Sequence, residues 1–113
     1  MSLKSINVTG RLTKDPVIRG DNVPVSNLYL VVGGGHKYGD ITFRVDCFGP
    51  IARKTIKDLS AGDKITVEGT IMKPIQEDGE LINHVNADKV HYERTKKYNE
   101  VYKPQQELFG EIL

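Results

Sequence analysis

Apolar and polar residues alternate with period two along several stretches of the chain, and one stretch repeats at helical spacing. Residues 4–12 set Ile6, Val8, Gly10 and Leu12 against Ser5, Asn7, Thr9 and Arg11, which predicts a first strand. Gly10 inside it predicts a bend or a close backbone approach, as at the corner of a small barrel. Thr13-Lys14-Asp15-Pro16 is a turn signal, because Pro16 fixes its own φ and biases Asp15 away from helix. Residues 17–22, carrying Arg19, read as a short connecting segment. A second strand over 25–32 places Leu28, Leu30 and Val32 on one side and Asn27, Tyr29 and Val31 on the other. The run 33–40, with three glycines followed by His36, Lys37 and Tyr38, reads as a flexible loop.

The most informative stretch is 41–59. Ile41, Phe43, Val45 and Cys47 form an apolar face, opposite Thr42, Arg44, Asp46 and Phe48. A sheet with one face on a core and one in solvent reads this way, but a wet face carrying an arginine and a large aromatic has more than the core requires. Gly49-Pro50 stops this third strand, and Pro50 suits the first turn of a helix. Ile51, Thr55, Ile56 and Leu59 recur at helical spacing, with Arg53, Lys54 and Lys57 left in water. Residues 64–72 alternate again, with Ile65, Val67, Gly69 and Ile71 expected inward. An acidic hairpin loop is expected over 76–80, and 81–92 supplies a fifth strand with Val85, Ala87 and Val90 as core positions around a bulge. The order predicts an all-β domain with one helix, β-β-β-α-β-β, the arrangement of the five-stranded OB-fold barrel. From Arg94 the periodicity is lost. The expected organisation is a folded domain over 1–93 and a mobile tail over 94–113.

Composition narrows this picture. A chain of 113 residues, 38% apolar and 27% charged, suits one small soluble core, with no apolar run long enough to span a bilayer and no basic-then-apolar leader. An intracellular protein away from membranes is expected. Cys47 has no partner for an internal disulfide and is expected as a buried thiol. His36, His84 and His91 lack ligand spacing, so neither a metal site nor any other cofactor is expected. The net charge of +1 gives no bulk attraction to nucleic acid, so any such site must arise from local arrangement.

Four motifs then resemble one family in order and spacing: INVTGRLTKDPVIR at 6–19, VSNLYLVV at 25–32, Phe48-Gly49-Pro50-Ile51-Ala52, and LSAGDKITVEG at 59–69. Over roughly residues 4–92 the chain resembles bacterial and phage single-stranded-DNA-binding proteins, and its short length with a reduced tail suggests a phage or plasmid version. That resemblance implies sequence-tolerant binding of single-stranded DNA in replication, recombination and repair, in the cytoplasm of a bacterial or phage-infected cell. It also implies assembly with itself as a homotetramer or homodimer. Carried over position by position, it gives a base-stacking ring at Phe48 with Arg44 as its basic partner, and His36 or Tyr38 as the loop aromatic, while Thr42 stands where a tryptophan is common. The chemistry of single-strand binding adds Tyr29 as a further ring and Arg44, Lys37, Arg11, Arg19 and Lys73 as charges along the phosphates. The fourth-to-fifth-strand hairpin departs from the family, with Pro74, Ile75 and Gln76 replacing a basic and aromatic run. The tail departs too: Leu108, Phe109, Glu111, Ile112 and Leu113 stand where the family has aspartates and then Ile-Pro-Phe, as the candidate contact for replication or recombination proteins.

Bland alternatives accompany each reading. An outward Phe or Tyr on a strand also serves as a subunit contact or cross-strand pair, and any single Lys or Arg is ordinarily just solvated. Asp46 beside Arg44 reads as an ion pair, and no nucleophile stands with a base, so no enzyme activity is expected. The rival to DNA binding is a protein-interaction or RNA-binding barrel using the same face.

Overall fold

The structure, a computed structural model, describes residues 4–33 and 39–93. The loop candidates His36, Lys37 and Tyr38, and the whole expected tail with Leu108, Phe109, Glu111, Ile112 and Leu113, lie outside the described residues. The described elements are β1 (Ser5–Leu12), β2 (Val17–Arg19), β3 (Val25–Gly33), β4 (Asp40–Phe48), α1 (Pro50–Asp58), β5 (Lys64–Glu77) and β6 (Glu80–His91).

These strands form one sheet in the order β1-β5-β6-β4-β3-β2, and β1 also pairs with β3. That second pairing closes the sheet into a barrel. β1 runs antiparallel to β5 from Ser5↔Thr70 to Arg11↔Lys64, then its last residues cross to β3 at Arg11↔Val31 and Leu12↔Leu30. β4 and β6 are parallel, from Phe43↔Asn83 to Asp46↔Asn86, and the other pairings are antiparallel. The closed five-stranded barrel with its helix before the last two strands is as the sequence predicts. The segment read as a mere connector is the exception: Val17, Ile18 and Arg19 pair with Asn27, Ser26 and Val25, adding a short edge strand.

Inward positions of these strands make the core. Val8, Leu12, Leu28, Leu30, Val45, Ile65, Val67 and Val85 are buried, with Ala87 and Val90 partly buried against them around a register shift beside Gly69. Helix α1 closes one end of the barrel. Pro50 occupies its first turn, Ala52 and Thr55 are buried, and Leu59 follows them into the core. The Thr55 hydroxyl bonds the Ala52 carbonyl at 2.9 Å and shares a 2.8 Å hydrogen bond with Ser26, so this buried polar pair is satisfied. Cys47 is fully buried, as expected, and burial pushes its thiol up to about 11.

Two glycines are needed where walls meet. A Cβ on Gly10 would lie 2.5 Å from the Val31 carbonyl oxygen, and one on Gly69 2.3 Å from that of Asn86. Both are close backbone approaches that only glycine permits.

The last hairpin differs from its expected form. Strands β5 and β6 run on to Glu77 and Glu80, so only Asp78 and Gly79 form the turn, at φ 49° and 80°. Two consecutive positive φ values make the twisted two-residue connection that Asp-Gly favours. The hairpin is thus a ribbon projecting past the barrel. Ile71, expected inward, is 42% exposed because β1 begins beside Thr70 and supplies no strand to cover it.

Candidate nucleic-acid interface

The strand registers lay the outward residues of the barrel in rows. Arg19, Val25 and Phe48 form one row across β2, β3 and β4. Val17, Asn27, Asp46 and Asn86 form the next, followed by Tyr29, Arg44, His84 and Met72, then by Arg11, Val31 and Thr42. Residues that the sequence scatters over 11–48 therefore share one face: Arg11, Arg19, Tyr29, Thr42, Arg44 and Phe48 are all on it. Lys73 stands apart, exposed on the projecting ribbon.

Phe48 is 46% exposed at the end of β4, where the Gly49 N–H donates to the Pro24 carbonyl at 3.0 Å and fixes the strand end. An aromatic ring held on a rigid strand and open to solvent is a platform for stacking. Arg19, in the same row, bonds the Asn27 side-chain oxygen. Arg11 reaches the Gly62 carbonyl at 3.0 Å, and Thr42 is exposed.

Tyr29 corrects an expectation. Period-two parity does place it outward, yet it is only 8% exposed, because two segments distant in sequence cover it. The Lys14 ammonium sits 4.2 Å from the ring centroid, and the Tyr29 hydroxyl donates to Glu77 Oε1 at 2.8 Å. Its ring is not an open stacking surface. Burial first, then the Glu77 hydrogen bond and charge, push the phenol pKa upward, which keeps it a donor.

Arg44 is held on both sides. Its Nε donates to Asp46 Oδ1 at 2.9 Å and its Nη1 to Glu77 Oε1 at 3.0 Å, with the side chain 18% exposed. Asp46, the deeper partner, also accepts from Asn27 Nδ2 at 2.6 Å and lies 2.8 Å from His84 Nε2. Burial opposes ionisation of Asp46, but the hydrogen bonds from Arg44 and His84 outweigh it and hold the carboxyl below its ordinary value. Burial likewise pulls the Arg44 pKa down, while Asp46 more than restores it and leaves it raised. The expected Arg44–Asp46 ion pair is present. No sequence pattern indicates that Asn27, His84 and Glu77 complete it, nor that Lys14 caps Tyr29. One signal was available: reading Asp78-Gly79 as a two-residue turn extends β5 to Glu77 and puts that carboxylate on the ribbon.

Among the described residues this face carries the cations Lys14, Arg11, Arg19 and Arg44 and the anions Asp40, Asp46 and Glu77, in a chain that is nearly neutral overall. No family model matches the chain, and neither does any curated protein. Among solved structures, the SSB domain of a protein from Synechococcus sp. superposes with a TM-score of 0.66, over 81% of this chain and 98% of that one. The fold is that of an SSB domain. Sequence identity to it is 16%, so the likeness rests on the arrangement of strands and helix and not on shared residues. In this SSB-type barrel the rows above occupy the outer wall of β3 and β4, the wall that OB-folds most often use for ligands.

Proposed function

We propose that the protein binds single-stranded DNA with little regard to sequence, along the outer face of β3 and β4, and so protects and organises it during replication, recombination and repair. The observation that carries this reading is the exposed Phe48 ring, in one row with Arg19, on the outer wall of β3 and β4. Bases stack on Phe48, while Arg11, Arg19 and Lys73 run along the phosphates with Lys37 of the adjoining loop. Stacking serves this task because every base has a π face, whereas hydrogen bonding to base edges would impose a sequence. In this reading no catalysis is involved, the chain acts as a homotetramer or homodimer in the cytoplasm of a bacterial or phage-infected cell, and its acidic and apolar end recruits replication or recombination proteins.

The test is fluorescence anisotropy of a labelled polythymidine strand of about 35 nucleotides, with duplex as competitor. Binding should weaken with salt by a slope of about 0.7 per phosphate contact, and duplex should compete poorly. Phe48→Ala should weaken binding by about 1–3 kcal/mol while leaving the thermal melt nearly unchanged, since the ring is half in water. A collapsed melt with intact binding would make Phe48 a packing residue instead.

One observation favours a second reading. Arg44 is already neutralised by Asp46 and Glu77, which suits a barrel that meets another protein through this face. Such a barrel would show no salt-dependent affinity for polythymidine.

A further inference from the structure

Glu77 and Asp46 both pair with Arg44, yet they are placed very differently. Asp46 lies beneath the face, surrounded by Asn27, Arg44 and His84. Glu77 comes from the last residue of β5, beside the turn of the projecting ribbon, and its side chain lies over the face at the rim. A single oxygen, Oε1, receives the Tyr29 hydroxyl at 2.8 Å and Arg44 Nη1 at 3.0 Å, with the Lys14 ammonium above the same tyrosine ring. A phenol and a guanidinium converging on one oxygen, with a second cation nearby, form the donor set that holds a phosphate oxygen.

We propose that the point now filled by Glu77 Oε1 is an anion subsite for a backbone phosphate of the bound strand, and that Glu77 is the chain's own occupant, displaced when the strand binds. This rests on the single-strand reading above and gives Tyr29 a different part in it: its hydroxyl holds a phosphate, and its ring stacks on no base. An ordinary phenol stays protonated through the neutral range, so the Tyr29 hydroxyl remains a donor there with Glu77 in place or displaced. Displacement has a cost that binding must overcome. The apparent affinity is the intrinsic affinity reduced by the fraction of molecules in which the subsite stands open. It also flattens the salt dependence, since the counterion that the phosphate releases is offset by one that the freed carboxylate takes up.

Two substitutions at this position and one control test the proposal by polythymidine anisotropy over a range of salt. Glu77→Gln removes the charge, and Glu77→Asp keeps the charge but shortens the reach to Tyr29 and Arg44. Both should bind the strand about threefold to tenfold tighter than the unaltered protein. Glu77→Gln should also steepen the salt slope by about 0.7, the equivalent of one phosphate. Glu80→Gln takes the same charge from the exposed residue directly across the hairpin and should change affinity less than twofold. Equal gains from Glu77→Gln and Glu80→Gln would reduce the effect to general charge and overturn the subsite. So would unaltered affinity in both Glu77 variants while the unaltered protein binds well. No binding by any of the proteins would overturn the single-strand reading, and the subsite with it.

Discussion

Asp46→Ala is expected to cost about 3 kcal/mol of stability, the lower end of what breaking a buried ion pair costs, because Arg44 keeps some access to water. The loss is larger than that of one contact. Asn27, Arg44 and His84 all direct polar atoms at this carboxylate, and its removal strands them beneath the face. The check is the urea midpoint of the variant, with the melting temperature falling by roughly 10 °C or more in a domain this size. An unchanged midpoint would mean that water replaces the carboxylate without loss.

The same residue predicts a pH dependence. The Asp46 pKa is lower in the folded chain than the ordinary value of about 3.9 that it regains on unfolding. Its contribution is therefore complete above about pH 4 and is lost as pH falls through the folded value. The stability gap between the unaltered protein and Asp46→Asn should stay constant from neutral pH down to about 4 and narrow below it. A gap that narrowed on the alkaline side instead would assign the linkage to another group.

Gly69→Ala is the second large effect, an expected loss of about 2–3 kcal/mol from forced overpacking. The added methyl would stand 2.3 Å from the Asn86 carbonyl oxygen and 2.7 Å from Val85 Cγ1. The oxygen belongs to backbone and cannot swing aside, so β5 and β6 must separate next to their register shift. Gly33→Ala is the internal comparison. Among the described residues its Cβ would meet only Asp40 Oδ1 at 3.7 Å, an ordinary contact, and its effect should be near zero. Thermal melts of the two variants decide the matter, and equal losses would show that chain flexibility, not close approach, sets the cost.

Most of the barrel was legible in the sequence because most of its strands have one wet face, and burial then writes itself as period two. Val8, Leu28, Leu30, Val45, Val67 and Val85 are buried where alternation puts them. β2 escaped because three residues are too few to show a period. Ile71 was misplaced because alternation states which side a residue takes and not where the neighbouring strand begins. The site was legible only as a face. Tyr29 has the parity of an exposed residue and the burial of a core residue, a difference made by Lys14 and Glu77, which lie 15 and 48 positions away in the chain. Local pattern carries no information about such partners. Phe48, which no described segment covers, is expected outward and is found so.

The position of β6 between β5 and β4 has a bearing on how the molecule is made. As the chain leaves a ribosome, everything through Glu77 can be present while the barrel still lacks a stave, because only residues from Glu80 onward join the two open margins. Until then β4 and β5 each offer an unpaired row of amides and carbonyls, the feature that recruits stray strands from other chains. A message truncated within the final hairpin would therefore yield not a slightly shortened protein but an open barrel with two adhesive edges.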